Sequence, residues 1–290
     1  MTCLSRRVRR ALPISCVVSV ACLVTAGACG QVIPKELVSQ SIRNYQRDWQ
    51  TARASWASTE TDITESDGTK EANVSEVIPL AGTPYDRLIL KNGHSLTPAE
   101  QRKEDRKYER ARRQREEETP SEREARIRKY DEARAFVNDV PNAYNFRLLG
   151  EEVVDGRPAW ILGITPRADF TPSAPHGALL GHIEGKLWID EGDVRWAKAE
   201  AHVTETIGIG WVLARIEPGT SFTVEQVPVE NGLWMPRRIT IAGAARVMIF
   251  HSTTVIEELT WSGYRKEAGV SADQHDRANP GATGVSKSFH

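Results

Sequence analysis

The second half of the chain alternates apolar and polar positions in short runs, which is the pattern of β-strands with one buried face. Such two-residue periodicity places alternate side chains on the same side of a strand. Runs of this kind follow one another between residues 144 and 262, with turn signals such as Asp155-Gly156 and Glu230-Asn231-Gly232 between them. Because no crossover helices separate these runs, they predict an antiparallel sheet and not a parallel one.

Residues 34–54 have the different periodicity of an amphipathic helix. Apolar side chains recur there at helical spacing, and Pro34 suits the first helical turn. The apolar stripe consists of Leu37, Val38, Ile42, Tyr45, Trp49 and Ala52. Threonine-rich and β-branched runs follow up to residue 91, and Asp67-Gly68 and Asn92-Gly93 mark hairpin turns around them.

The apolar strand faces carry small side chains. One face of 197–204 and one face of 239–247 consist of Ala197, Ala199, Ala201, Val203, Ile239, Ile241, Gly243, Ala245 and Val247. Sheets that pack directly on one another usually have bulkier inner faces, so these faces leave volume for another group. The predicted helix, with its bulky Tyr45 and Trp49, can fill that volume, and so can an apolar ligand beneath the helix. The pattern leaves both readings open.

Residues 97–135 interrupt the strand pattern with a highly charged segment. Between Glu100 and Glu132 it holds 12 basic and 11 acidic side chains. Thr97 and Glu100 have the spacing of a capping box at a helix start, and acids and bases recur one helical turn apart. The segment is predicted to be a charged helical insertion. It either docks a partner or is a solvated excursion that is stabilised by its own ion pairs.

The first 28 residues have the organisation of a signal peptide. A basic start precedes an uncharged apolar run at 14–24, and Ala26-Gly27-Ala28 has the small residues of a cleavage site. The apolar run is shorter than the roughly 20 residues that span a bilayer, which argues against a permanent transmembrane anchor. Cys29 follows directly, as in lipoproteins that are acylated on this cysteine, although Ala26 stands where such motifs usually have Leu. Ordinary cleavage beside a cysteine is the alternative.

The composition of the chain argues against several kinds of functional site. All four cysteines lie within the first 29 residues, which excludes a disulfide scaffold and a cysteine-ligated metal in the folded body. Without the four arginines of the signal peptide, 34 basic side chains remain against 39 acidic ones, a net charge of −5 that argues against a nucleic-acid partner and predicts no polybasic membrane patch. The sequence contains no familiar catalytic or nucleotide-binding motif, and His176 and His182 in one loop are only a weak metal candidate. We therefore expect no enzyme activity and no cofactor.

Several short motifs give the sheet region a family resemblance. They occur in the order Gly150-Glu151-Glu152, Gly156–Trp160, Gly185–Asp190, Gly232–Arg238 and Trp261–Lys266. With them the chain resembles LolA-like outer-membrane lipoprotein-sorting proteins and their LolB- and RseB-type relatives. The resemblance covers residues 144–266 well and 34–91 more loosely, and the charged segment 97–135 is an insertion relative to it.

The resemblance implies a mainly β, α+β domain over 29–266. It would be an incomplete antiparallel β-barrel, or half-barrel, covered by the amphipathic helix. Residues 267–290 are polar and glycine-rich, and this composition predicts a disordered tail. The resemblance also implies an exported, periplasmic protein that binds an acyl chain, lipid or lipoprotein without catalysis. The candidate cavity residues are Ile42, Tyr45, Trp49, Trp160, Leu162, Leu187, Ile189, Ala199, Ala201, Ile239, Ile241 and Val255. The alternative is an envelope interaction or sensor module with a filled interior and a charged docking arm.

Acylation of Cys29 would tether the protein to the outer membrane, and we predict it as follows. Cells grown with radioactive palmitate should label the wild-type protein, whereas Cys29→Ala should carry no label and should leave the membrane fraction, because the acylated thiol is gone. Label on both proteins, or a Cys29→Ala protein that stays membrane-bound, would contradict a lipid anchor at this position.

Overall fold

A computed structural model describes residues 33–209, 214–247 and 251–267. Its helices are Pro34–Ser55 (α1), Pro98–Glu116 (α2), Pro120–Glu132 (α3) and Val140–Ala143 (α4), with 3-10 turns at Ala135–Asp139, Gly177–His182 and Glu230–Gly232. Its strands are Trp56–Ser66 (β1), Thr69–Leu80 (β2), Thr83–Lys91 (β3), His94–Ser95 (β4), Tyr144–Val154 (β5), Arg157–Pro166 (β6), Ile183–Asp190 (β7), Trp196–Val203 (β8), Ile207–Ile209 (β9), Ala214–Ile216 (β10), Ser221–Pro228 (β11), Trp234–Val247 (β12) and His251–Lys266 (β13). The predicted signal peptide 1–28, Cys29 and all of the predicted tail except Glu267 lie outside the described residues.

The strands form one antiparallel sheet in the order β4-β3-β2-β1-β13-β12-β11-β8-β7-β6-β5. Beside this path, β10 pairs with both β12 and β9. Within the described residues the outer strands β4 and β5 do not pair with each other, so the sheet remains open. The predicted fold class, an incomplete antiparallel barrel combined with helices, is confirmed. The pairing of β1 with β13 joins the first strand of the domain to the last.

Helix α1 lies on one face of this sheet, which we call the helix-side face. The helix begins at Pro34 and ends at Ser55, where Trp56 turns into extended backbone and the threonine-rich β1 starts. Its apolar side packs on β6 and β7 in one buried cluster, which consists of Val38, Ile42, Leu162, Leu187 and Ile189. Burial of each such side chain contributes roughly 1.5–3 kcal/mol, so this cluster is the main contact between helix and sheet.

A β-bulge decides which residue of β8 faces the helix. A register shift follows Trp188, and Ile189 pairs with Trp196, so that β8 accommodates one extra residue, Ala197. The alternation pattern placed Ala197 among the small inward residues. The structure instead turns Trp196 toward α1, where its ring centroid lies 5.6 Å from that of Tyr45. A large aromatic side chain therefore fills part of the volume that the small face was expected to leave.

Both long helices of the insertion start with a capping box. Thr97 accepts a hydrogen bond from the backbone N–H of Glu100, and the Glu100 carboxylate accepts one from the backbone N–H of Thr97 in return. Thr119 and Glu122 repeat this arrangement at the start of α3. Reciprocal caps satisfy two otherwise free N–H groups at each helix start, which lets helices with few buried apolar residues form.

Two arginines attach the insertion to the turn between β2 and β3. Arg115 donates to the carbonyl oxygens of Leu80 and Thr83 at 2.8 and 3.0 Å. Arg126 donates to the Thr83 hydroxyl at 2.6 Å and to the Ala81 carbonyl at 2.9 Å. The insertion is thus held against the sheet by charge-assisted hydrogen bonds to backbone, which are stronger than neutral ones.

A buried ion pair fixes the position of α1. The Arg195 guanidinium lies 2.5 Å from the Asp48 carboxylate, and both side chains are nearly excluded from solvent. The same carboxylate accepts the backbone N–H of Trp234 at 3.4 Å, and Asn44 donates to the Val194 carbonyl at 2.9 Å. These contacts join the helix to the start of β8 and the start of β12.

We predict that Asp48→Ala lowers the free energy of unfolding by about 3–5 kcal/mol, because it leaves the buried Arg195 charge without its partner. Urea denaturation at neutral pH measures this. As the control, Glu132→Ala removes an acid whose pair with Arg128 is exposed, and the change should stay within about 1 kcal/mol. Equal, small effects of both changes would contradict an anchoring role for Asp48.

Candidate functional site

Cross-strand pairing aligns six apolar side chains into one row, which we call the central apolar row. The row runs from β6 to β13 and consists of Leu162, Leu187, Ala199, Val224, Ile239 and Leu259. Directly paired residues share a face of a sheet. Because Leu162 and Leu187 are buried under α1, the whole row belongs to the helix-side face.

A second row lies next to the central apolar row on the same face, two residues away from it on each strand that the rows share. It consists of Phe146, Ile164, Gly185, Ala201, Phe222 and Ile241. Gly185 is required in this row, because a Cβ atom at that position would lie 2.0 Å from the backbone oxygen of Glu200. The close approach of β7 and β8 at this point therefore depends on the missing side chain.

Coverage of the central apolar row decreases along the sheet. Leu162 is fully buried and Leu187 is 8% exposed under α1, whereas the members of this row from β8 to β13 are only half-buried, as are all members of the second row. The central apolar row is thus covered at one end, and its apolar side chains are partly accessible at the other.

The structure divides the predicted cavity residues between these two parts. Ile42, Leu162, Leu187 and Ile189 belong to the buried cluster, and Trp160 and Ala199 pack against it. Helix and sheet meet directly there, so this part is protein core. The half-buried part of the same face carries Ala201, Ile239, Ile241 and Val255.

Tyr45 and Trp49, the other two predicted residues, line a groove of about 490 Å³ between α1 and α3. The Trp49 ring stacks on that of Tyr130 with centroids 5.5 Å apart, and the Arg134 guanidinium lies 4.1 Å from the Trp49 ring centroid. Burial raises the pKa of Tyr130 to about 12, because its phenol is largely withdrawn from water. The charged insertion therefore provides one wall of this groove.

Several residues of this face were missed by sequence reasoning. Phe222, Val224 and Leu259 extend the two rows, and the alternation of β11 contains the signal that would have identified the first two. Tyr130 and Arg134 had no such signal, because their contacts with Trp49 bridge about 80 residues of chain and depend on tertiary folding.

The apolar rows end at acidic side chains on β13 and β1. Glu257 of β13 is the cross-strand partner of Ile241, and Asp62 of β1 is the cross-strand partner of Leu259. Burial raises the pKa of Glu257, and the nearby charge of Asp62 raises it further. Burial likewise raises the pKa of Glu60 on the same strand as Asp62. The helix-side face thus changes from apolar to acidic where β13 meets β1.

A broader hollow of about 780 Å³ lies on the opposite face of β5–β8 and β11. The side chains that point into it alternate with the apolar rows and include Arg147, Lys186 and Glu200, with Leu149 beside Gly163. Charges of both signs favour water over an apolar ligand. The candidate site is therefore the helix-side face.

Neither histidine of the weak metal candidate is part of a metal-ligand cluster in the described ranges, where no group of three or more His, Cys, Asp and Glu side chains is arranged to hold an ion. His182 instead lies 3.3 Å from the carboxylate of Glu205. In the same ranges, no helix is long and apolar enough to cross a membrane.

Comparison with known proteins gives matches to solved structures. No protein-family model matches the chain, and no curated protein matches it. A LolA superfamily protein from Nitrosomonas europaea matches with a TM-score of 0.32 and 11% identity, over 81% of this chain and 94% of that one. A domain assigned to outer membrane lipoprotein-sorting proteins, from Vibrio parahaemolyticus, matches with a TM-score of 0.34 and 12% identity, over 81% and 95%.

The structure is similar to solved LolA superfamily proteins. MucB, in the MucA/MucB complex of Pseudomonas aeruginosa, also matches, with a TM-score of 0.23 and 13% identity over 80% of this chain and 99% of that one. These matches are to the same group of proteins that the sequence motifs resemble. Scores and identities this low transfer no function, which must rest on the side chains of this chain.

We predict a pH-dependent effect of Glu257→Gln. The pKa of Glu257 is raised on folding, so the folded protein holds this proton more tightly than the unfolded chain does. The resulting stability is present below the ordinary carboxyl pKa and is lost as the pH rises through the raised pKa. Removing the charge should therefore raise the urea midpoint at about pH 7 and change it little at about pH 4.

The neighbouring Glu258 provides the control for this experiment. It lies on the opposite face and pairs with Arg238 at 3.1 Å, so Glu258→Gln should not stabilise the protein at either pH. A Glu257→Gln protein that is no more stable than wild type at neutral pH would show that this carboxylate is well solvated.

Proposed function

We propose that this protein is an exported, periplasmic binding protein that holds the acyl chain of a lipid or lipoprotein on the open part of its helix-side face, without covalent chemistry. The observation that carries the proposal is the continuation of the two apolar rows beyond the buried cluster, as half-buried side chains on the four adjacent strands β8, β11, β12 and β13. Apolar surface that is continuous but incompletely covered is typical of binding sites.

The size of the open surface suits an acyl chain. Neighbouring strands lie about 4.8 Å apart, so the rows from β8 to β13 extend about 14 Å, which is the length of a medium acyl chain. Burial of each methylene contributes about 0.8 kcal/mol, and several are needed to offset the rotational and translational cost of binding. The acidic side chains at β13 and β1 would limit the chain at one end.

The predicted leader supports the cellular location in this proposal. A signal peptide over 1–28 would export the chain, and acylation of Cys29 would tether the binding face to the outer membrane. Without acylation the same protein would diffuse in the periplasm. The lipid-binding face belongs to the folded domain in either case.

A second candidate function has one observation in its favour. The cluster of Ile42, Leu162, Leu187 and Ile189 fills the space directly under α1, as expected for an interaction module whose interior is core. In that case the half-buried rows would be the edge of the core, and the charged insertion would dock a partner protein.

The two candidates are distinguished by a charge placed on the open rows. Ile241→Asp puts a carboxylate beside Ile239 and Phe222, and we expect it to weaken the binding of a fluorescent fatty acid at least about tenfold, because a buried charge without a partner is costly. Titration of the purified protein, followed by fluorescence, measures the dissociation constant. Native mass spectrometry of gently purified wild-type protein should show a co-purified lipid.

Ile256→Asp is the matched control. Ile256 is the next position along β13 from Val255, points to the opposite face and is 43% exposed, so this variant should bind like wild type. Equal binding by wild type and Ile241→Asp, or a wild-type protein without lipid that ignores the fatty acid, would overturn the proposal in favour of the filled module.

A further inference from the structure

Helix α2 carries an exposed row of basic side chains, which we call the basic stripe. The stripe consists of Arg102, Lys103, Arg106, Arg110 and Arg113, all of which are exposed. At 3.6 residues per turn these positions fall within about 100° of the helix circumference and extend about 16 Å along its axis. Five positive charges are thus presented along one side of a single rigid element.

The opposite side of α2 holds the helix against the sheet. Tyr108 lies 5.5 Å from the ring of Tyr85 on β3, Glu104 is 7% exposed, and Arg115 binds the carbonyl groups of the β2–β3 turn. Because these three residues lie on the side of the helix away from the basic stripe, the stripe points outward from the body.

The acidic side chains of α2 are engaged elsewhere. Asp105 pairs with Arg87 of β3 at 2.6 Å and Glu104 pairs with Lys107 at 2.6 Å. Arg112 binds the two flanking acids Glu109 and Glu116 at 3.1 and 2.6 Å. Glu117 lies beyond the last turn, at the end of the stripe. Among the described residues, none of the five stripe side chains has an acidic partner.

The shape and composition of the stripe select the class of partner. It has no apolar or aromatic side chain, since Tyr108 faces the sheet, and it lies on a convex helix surface and not in a groove. A protein partner normally adds a buried apolar anchor, and single-stranded nucleic acid adds aromatic stacking. A flat anionic surface needs neither, because evenly spaced charges on a rigid rod can all approach it together.

We propose that the basic stripe of α2 binds the anionic headgroups of a phospholipid bilayer and so orients the folded domain against the membrane. Binding is electrostatic and independent of the acyl-binding face. It should weaken with salt, since charges further apart than about 10 Å are screened at 0.1 M ionic strength.

Vesicle cosedimentation tests the proposal with protein purified after export, from which the basic and apolar leader 1–28 is predicted to be removed, and every arm carries Cys29→Ala so that no acyl anchor contributes. The probes are vesicles of phosphatidylcholine and vesicles in which one third is replaced by phosphatidylglycerol. Mass spectrometry of the purified protein checks that the four arginines of the leader are absent, and the neutral vesicles measure binding that does not depend on charge. The protein with the wild-type stripe should bind the anionic vesicles much more tightly than the neutral ones.

The variant Arg102→Gln, Arg106→Gln, Arg110→Gln removes three charges of the stripe while keeping good helix formers. Each basic side chain near an anionic surface contributes roughly a fivefold change in partition, so the variant should bind the anionic vesicles roughly 100-fold less tightly. Circular dichroism confirms that its fold is unchanged. Binding to the neutral vesicles should not change.

The matched control removes three exposed basic residues that lie outside the stripe, one on α1 and two in the hollow on the opposite face of the sheet, as Arg43→Gln, Arg147→Gln, Lys186→Gln. It has the same net charge as the stripe variant, and we expect it to bind almost like wild type. The proposal is overturned if wild type does not prefer anionic vesicles, if the stripe variant binds as tightly as wild type, or if the control loses as much binding as the stripe variant. The last result would mean that net charge acts without the stripe.

Discussion

The structure depends on how an open sheet removes one of its faces from water. A sheet whose outer strands do not meet cannot enclose its own apolar face, so another element must cover it. Helix α1 does this, and at 22 residues it is about 33 Å long. Its position is set by the buried pair of Asp48 and Arg195, whose carboxylate also accepts the N–H of Trp234. One ion pair therefore ties the helix to two strands that are distant in sequence.

One helix does not cover the whole face, and the side chains of the face differ between its covered and its open parts. Beneath α1 the side chains are large and fully buried, as at Leu162 and Ile189. Further along, Ala201 and half-buried Ile239 and Ile241 keep the surface apolar without filling it. The rows then end at Glu257 on β13 and at Asp62 on β1. The face thus passes from core to open apolar surface to acidic surface, and the proposed acyl-binding site is the middle part.

Much of this arrangement could be predicted from local sequence signals, and the parts that could not be predicted have physical causes. The alternation of β-strands and the capping residues Thr97 and Thr119 are local signals, so strands and helix starts could be predicted. Strand partners are not local, and nothing near Asp62 indicates that it lies opposite Leu259. The inward turn of Trp196 was missed because one bulged residue reverses the parity on which every alternation argument rests. The predicted helix 34–54 agrees with the observed helix Pro34–Ser55 to within one residue. Its contacts with the insertion were not predicted.

The insertion shows why a charge count is a poor guide to what a charged segment does. Its basic and acidic side chains nearly cancel, which suggests a solvated helix pair with no preferred side. In the structure the acid Asp105 and the bases Arg115 and Arg126 serve to hold the helices on β3 and its turn. Because those contacts engage the acids on the inner and flanking sides, positive charge is left on the outer side of α2. Attachment to the sheet and a basic outer surface are therefore two consequences of the same pairing of charges.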